Sequence, residues 1–222
     1  MLIFDSVIGL IAPHQCISCA REGSLLCVSC IDEYFQPTVP RCIGCMKQQE
    51  SFAVCKRCKT WLPLCNVYYC GTYDGVQEAL IKELKFNYKR QAVVPIAEMI
   101  TKLPIQNETD VVLCPLPTAP SRIRERGFDH TKLITGQLAK KSNINSQNIL
   151  KRHSNTRQLG SSRKKRTEQM KEEFYISNTK IPESVMLIDD VFTTGSTLAA
   201  AAETLKASGV KRVSAIIFAR KI

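Results

Sequence analysis

Val185-Met186-Leu187-Ile188-Asp189-Asp190-Val191-Phe192-Thr193-Thr194-Gly195-Ser196-Thr197 sets the reading of the chain. Val185 to Ile188 is an apolar run of the kind that forms a buried strand. Two carboxylates follow it, then a loop of hydroxyls around a glycine. From Ser196 to Ser208 an alanine-rich segment predicts a helix stopped by Gly209, a typical residue for that position. Ligands on open parallel sheets bind at the carboxyl ends of strands. Asp189 and Asp190 stand at such an end, where they can accept hydrogen bonds from ribose hydroxyls or hold a hydrated Mg²⁺. Thr193, Thr194, Ser196 and Thr197 supply hydroxyls, and Gly195 lets the backbone turn tightly. Loop amides and a helix N-terminus favour a phosphate. An acidic cap on an ordinary helix explains one Asp and one Thr, but not two acids, four hydroxyls and a glycine after a buried strand.

Outward from this stretch, the texture is strand and helix in alternation. Val213 to Phe218 is a final apolar strand, and Val111 to Cys114 a short buried one ended by Pro115 and Pro117. Gly75 precedes a helical stretch with Val76, Leu80 and Leu84 on one face; Ala92 to Leu103 and Phe128 to Lys140 predict further helices. Alternation of this kind implies an α/β fold with a parallel sheet flanked by helices. Residues 141–180 are polar, basic and poorly patterned.

The first 60 residues are different. Ten of the eleven cysteines precede residue 71, and eight form the pairs Cys16/Cys19, Cys27/Cys30, Cys42/Cys45 and Cys55/Cys58. Two residues between thiolates let both sulfurs of a tight turn reach one ion, and two such knuckles complete a tetrahedral Cys₄ zinc site. Four knuckles make two sites. Sequential pairing is the simplest arrangement; a cross-braced one, first with third and second with fourth, satisfies the spacing too. A segment of about 45 residues has too little core to fold unaided, so structural zinc is needed energetically as well. Cys65, Cys70 and Cys114 read as small buried residues. His14 reads as a surface residue, and His130 and His153 carry no partner pattern. The expected division is a small Cys-rich zinc-ribbon-like domain at 1–60, an entry segment at 61–72 and the α/β domain at 73–222.

Formal charge is +11, which favours partners bearing phosphates. No run of 18 apolar residues exists to span a bilayer. Met1 to Ala12 is apolar, contains Asp5 and lacks the basic start of a signal peptide, so a cytoplasmic location is expected. Residues 151–171 hold eight Lys or Arg and one acid, densest at Arg163-Lys164-Lys165-Arg166. A basic loop there suits a pyrophosphate or single-stranded DNA, although it has no aromatic residues for base stacking.

Leu187 to Thr197 resembles the phosphoribosyl pyrophosphate (PRPP) motif of type I phosphoribosyltransferases. By that resemblance Asp189 and Asp190 contact the ribose, and Thr193, Thr194, Gly195, Ser196 and Thr197 wrap the 5-phosphate, with Mg²⁺ accompanying PRPP. The likeness extends to Cys114-Pro115-Leu116-Pro117 with Arg122, Arg124, Arg126, Gly127 and Phe128. It also takes in Tyr73-Asp74-Gly75 with Leu84-Lys85-Phe86, and the cysteine module. Together these resemble ComF-type proteins over nearly the whole chain, departing at Asp129-His130, where the family has Asn-Gln. The resemblance implies pyrophosphate contacts from Pro115, Leu116, Pro117, Arg126 and Lys85. It implies PRPP and single-stranded DNA as ligands, a competence helicase or translocase as partner, and DNA uptake during natural transformation as the role. The alternative is an active phosphoribosyltransferase acting on an unknown nitrogenous base.

Overall fold

Residues 14–35, 39–105, 110–153, 173–177 and 180–221 are described by a computed structural model. Their central sheet is parallel, in the order β1-β6-β5-β2. β5 (Ser184–Phe192) and β6 (Arg212–Arg220) lie in the middle and are almost continuously buried, as strands covered on both faces must be. β2 (Val111–Pro115) pairs with β5 from Val111 opposite Ser184 to Pro115 opposite Ile188. β1 (Val67–Tyr69) pairs with β6. Pro115 is tolerated because it closes an edge strand, where its missing N–H interrupts no ladder.

The helices follow the expected faces. α2 (Gly75–Lys85) buries Leu80, Ile81 and Leu84. α3 (Val93–Thr101) takes Pro95 in its first turn and packs on α5 (His130–Ser142). α5 starts two residues later than its apolar pattern predicts, because Asp129 caps it by accepting from the Lys132 amide at 3.3 Å. Gly195 adopts φ +75° before α6 (Ser196–Ala207). β5 is longer than its apolar run: Asp189 and Asp190 are inside the strand rather than beyond it.

Three elements outside the Cys-rich module escaped the sequence pattern. α4 (Pro120–Arg126) buries no residue and so has no periodic signature. β3 (Leu150–Arg152) and β4 (Phe174–Ile176) form an antiparallel pair whose partners are too far apart in sequence for a hairpin signal.

The Cys-rich module contributes a short helix, α1 (Val28–Tyr34), and packs into the same apolar core as the sheet through Leu25, Leu26, Ile31, Ile43 and Phe52. Backbone bonds run across the junction. The Val67 amide donates to the Phe52 carbonyl and the Cys65 amide to the Val213 carbonyl, both at 2.8 Å. No helix among the described residues is long and apolar enough to cross a membrane.

Candidate functional site

The cysteine pairs meet sequentially. The Sγ atoms of Cys16, Cys19, Cys27 and Cys30 lie within 4.8 Å of one another, and so do those of Cys42, Cys45, Cys55 and Cys58. Cys19 and Cys27 are 3.7 Å apart at sulfur, as are Cys45 and Cys55. A tetrahedron with Zn–S bonds of about 2.3 Å has edges of roughly 3.8 Å, so both sets fit zinc. The knuckle amides support the charge that a metal would need. The Cys27 amide donates to Cys16 Sγ at 3.5 Å and the Cys55 amide to Cys42 Sγ at 3.4 Å. Burial opposes ionisation of Cys16, but amide donors from Cys19, Cys27 and Ser18 outweigh it and bring the thiol down to about 6. Cys70 and Cys114 are buried, as small core residues are expected to be. Cys65 is half-buried and stands apart from both clusters.

The acid pair sits at the carboxyl end of β5, and what surrounds it was not visible in the pattern. Lys85, the last residue of α2, forms an ion pair with Asp190 Oδ2. His130, the first residue of α5, is buried and places Nε2 at 3.6 Å from Asp190 Oδ1. Arg126 Nη1 lies 3.2 Å from His130 Nδ1. Arginine can only donate, so Nδ1 accepts and the proton of the neutral ring sits on Nε2, facing Asp190. Thr118 Oγ1 donates its one proton to Asp129 Oδ1 at 2.9 Å and packs 3.3 Å from the same Nδ1. His130 Nε2 and Arg126 Nε have no hydrogen-bond partner although both are buried. Buried donors normally find partners, so Arg126 Nε is available to a ligand, whereas His130 Nε2 faces Asp190 Oδ1.

The two carboxyls are driven apart. Burial, and then the neighbouring Asp190 charge, raise Asp189 well above the usual carboxylate range. Burial also works to raise Asp190, but Lys85 and then His130 outweigh it and hold Asp190 far below that range. The same surroundings thus push two adjacent carboxyls in opposite directions, Asp190 toward its ionised form and Asp189 toward its neutral one, at the place where a sugar hydroxyl would meet them. His130, Asp189 and Asp190 could hold a divalent ion by spacing, but Lys85 already neutralises Asp190.

Replacing Asp189 by Asn will raise stability at pH 7 by about 1 kcal/mol. Near pH 3 both folded and unfolded carboxyls are protonated and the gain vanishes. The penalty on Asp189 builds as pH rises past about 4, where the unfolded carboxyl ionises and the folded one resists. Urea titrations at the two pH values measure it, and an equal effect at both would contradict this electrostatic origin.

The hydroxyl loop follows directly. Thr193 and Thr194 are exposed, and Thr194 Oγ1 and Ser196 Oγ are 2.9 Å apart. Gly195 carries no side-chain cap for α6, so first-turn amides face the loop. Gly195 is tightly framed: a Cβ there would stand 2.8 Å from the Phe192 ring and 3.1 Å from Trp61 Cζ3. Trp61 comes from the edge of the second cysteine cluster, and its Cζ2 would lie 2.8 Å from a Cβ at Gly44. The indole is therefore a strut between a cysteine knuckle and the hydroxyl loop.

The other sequence-predicted contacts divide. Leu116 is spent on packing: it is buried, its amide donates to the Ile188 carbonyl at 2.9 Å, and its carbonyl accepts from Thr131. Pro115 ends the β2 ladder, and Pro117 begins the turn toward α4. Lys85 reaches Asp190, and Arg126 reaches His130 beside it. Arg122 pairs with Glu125 at 2.8 Å on the exposed face of α4. Arg163, Lys164, Lys165 and Arg166 lie outside the described residues. A cleft of about 780 Å³ opens between the cysteine module and α2, lined by Tyr34, Arg41, Thr72, Asp74 and Gln77, and it includes none of the acid or loop residues. His130 is the site residue the sequence reading missed. Its only signal is its place directly after Gly127-Phe128-Asp129.

A parallel sheet flanked by helices, with an acid pair and hydroxyl loop at the end of a central strand and a Cys₄ module before it, defines a type I phosphoribosyltransferase-like fold with a zinc-ribbon-like module. No protein-family model matches the chain. It is 26% identical to the competence protein ComFC of Bacillus subtilis, over 94% of this chain and 89% of that protein. It is 29% identical to competence protein F of Haemophilus influenzae, over 78% and 86% respectively. It is 26% identical to ComFC of Streptococcus pneumoniae over 90% of each chain. The chain is a homologue of these ComF-type proteins.

Proposed function

We propose that this protein acts in natural competence, binding PRPP and single-stranded DNA and assisting DNA uptake on the cytoplasmic side beside an ATP-driven translocase. The names of its relatives support the competence role. The observation that carries the ligand reading is the site at the end of β5: two adjacent buried acids, one paired with Lys85, beside a hydroxyl loop that opens a helix. Asp189 and Asp190 hold the ribose hydroxyls, and residues 193–197 hold the 5-phosphate with hydroxyls and amides. Arg126 Nε, buried without a hydrogen-bond partner, meets the diphosphate, which brings Mg²⁺ with it. Two zinc ions hold the Cys₄ clusters, and the module they stabilise serves as a docking element. Arg163 to Arg166 add phosphate contacts for DNA.

Calorimetric titration with PRPP and Mg²⁺ tests the site. Wild type gives a saturable heat. Asp189→Asn/Asp190→Asn weakens it at least about 100-fold, since two charge-assisted contacts of roughly 1.5–3 kcal/mol each are lost. An unchanged isotherm in the double variant would rule out the ribose assignment.

A further inference from the structure

The DNA reading leaves open where the bases go, because the 163–166 cluster contains no aromatic residue. We propose that Phe86 and Tyr88, in the turn after α2, form a stacking platform for the bases of single-stranded nucleic acid; this rests on the DNA reading above and deepens it.

Both rings are open to solvent, Phe86 at 59% and Tyr88 at 47%. Loose side chains on a frayed loop would mean little, but this turn is rigid. Glu83 cross-braces it, accepting from Asn87 Nδ2 at 2.9 Å and pairing with Lys89 Nζ at 2.7 Å. The Lys89 amide donates to the Glu83 carbonyl at 2.9 Å. Tyr88 is held at φ +56°, a conformation that bulky residues avoid. Strain of this kind persists where the surroundings over-determine it, and it clusters at functional sites. Here it keeps an aromatic ring outside the core.

The surroundings suit a polyanion. Lys85, bound to Asp190 in the phosphate site, is the residue before Phe86. The platform therefore begins where the phosphate site ends. Arg90, beyond it, stacks over the Phe128 ring at 4.9 Å and donates to the Gly127 carbonyl at 3.4 Å. Those contacts tie the turn to the end of α4, where Arg124 is exposed. The nearby acids are neutralised within the surface, Glu83 by Lys89 and Glu125 by Arg122. Cationic tracks with exposed rings are the general means of holding single strands, with phosphates on the charges and bases on the rings. A protein partner would instead call for a contiguous desolvated apolar centre, and these rings alternate with Asn87 and Lys89.

The test uses the full-length zinc-loaded protein and a fluorescent oligothymidine, beside a backbone of equal length lacking bases. Phe86→Ala/Tyr88→Ala is expected to weaken oligothymidine binding by at least about tenfold, because each stacked base is lost to alanine at roughly 1–3 kcal/mol. It leaves the salt slope unchanged, since stacking releases no counterions. It leaves binding of the abasic backbone and of PRPP unchanged. Phe86→Trp retains the affinity, and Phe86→Leu, equally apolar, does not. Equal loss on both backbones overturns the platform. So does unchanged DNA affinity, including the case where lost thermal stability shows that the rings hold another part of the chain. Wild type that binds no single-stranded DNA overturns both this inference and the DNA reading; a normal wild type beside an unaffected variant overturns this inference alone.

Discussion

Chelation is expected to unfold the cysteine-rich module, whose two Cys₄ sets have the geometry for zinc, and to disturb the hydroxyl loop at 193–197 with it. Apparent zinc binding energies of roughly 10–16 kcal/mol per structural site exceed the total stability of most domains. With one short α-helix, α1, and a single 3-10 turn at Cys58–Thr60 among the described residues, the module has little else to hold it. The effect travels because the second cluster touches the loop. The Trp61 amide donates to the Cys58 carbonyl at 3.1 Å, and its ring meets Gly195. Arg220 Nε donates to the Ile43 carbonyl at 3.3 Å, and the Lys221 amide to the Phe192 carbonyl at 2.8 Å, closing a ring of contacts. Trp61 is the sole tryptophan of the chain, so its emission reports the event directly. Chelation should red-shift the emission and raise amide exchange at 193–197. Cys58→Ser should affect the loop more than Cys19→Ser, which breaks the first cluster. A melting curve and an emission spectrum indifferent to chelation would exclude a structural role for the metal.

The second large effect belongs to Lys85. Lys85→Met removes the cation that neutralises a carboxylate 6% exposed at its side chain. Breaking a buried pair from one side costs about 3–5 kcal/mol, because the remaining charge stays desolvated. Adding Asp190→Asn should restore most of the loss. The pH dependence has a defined sign. Asp190 is held low in the fold, so its contribution is present above the unfolded carboxylate value of about 3.9 and fades as pH falls toward the folded one. Wild type therefore loses part of its stability in acid, and Lys85→Met loses less. Urea titrations of the three proteins at pH 7 and pH 3 decide it. A variant as stable as wild type at pH 7 would mean that Lys85 does not neutralise Asp190.

Particular residues show what could be read in advance. The run from Val185 to Thr197 announced a buried strand, acids, a turn and a helix, and all four are present. Asp189 and Asp190, however, are part of β5, since pairing with β6 continues as far as Phe192 opposite Arg220. Asp129 is an ordinary helix cap, but His130 beside it is drawn under the acid pair by the packing of α5. α4 and the β3–β4 pair were missed because neither has a one-sided apolar period. The basic cluster at 163–166 was legible only as charge, whereas Phe86 and Tyr88 became informative once their exposure was known.

Local spacing, then, was enough to find the two Cys₄ sets and the hydroxyl loop, because both are built from neighbours along the chain whose geometry follows from a few consecutive dihedrals. Tertiary structure alone decided the rest. It chose sequential over cross-braced pairing of the knuckles, since sulfur-to-sulfur distance is not a function of spacing. It set Lys85 and His130 on Asp190, and so pushed the acidities of two adjacent identical side chains in opposite directions. It put the one tryptophan between a metal knuckle and the loop. Each of these is a contact between distant segments, and its energy depends on burial and on which charge arrives, quantities that exist only once the chain has folded.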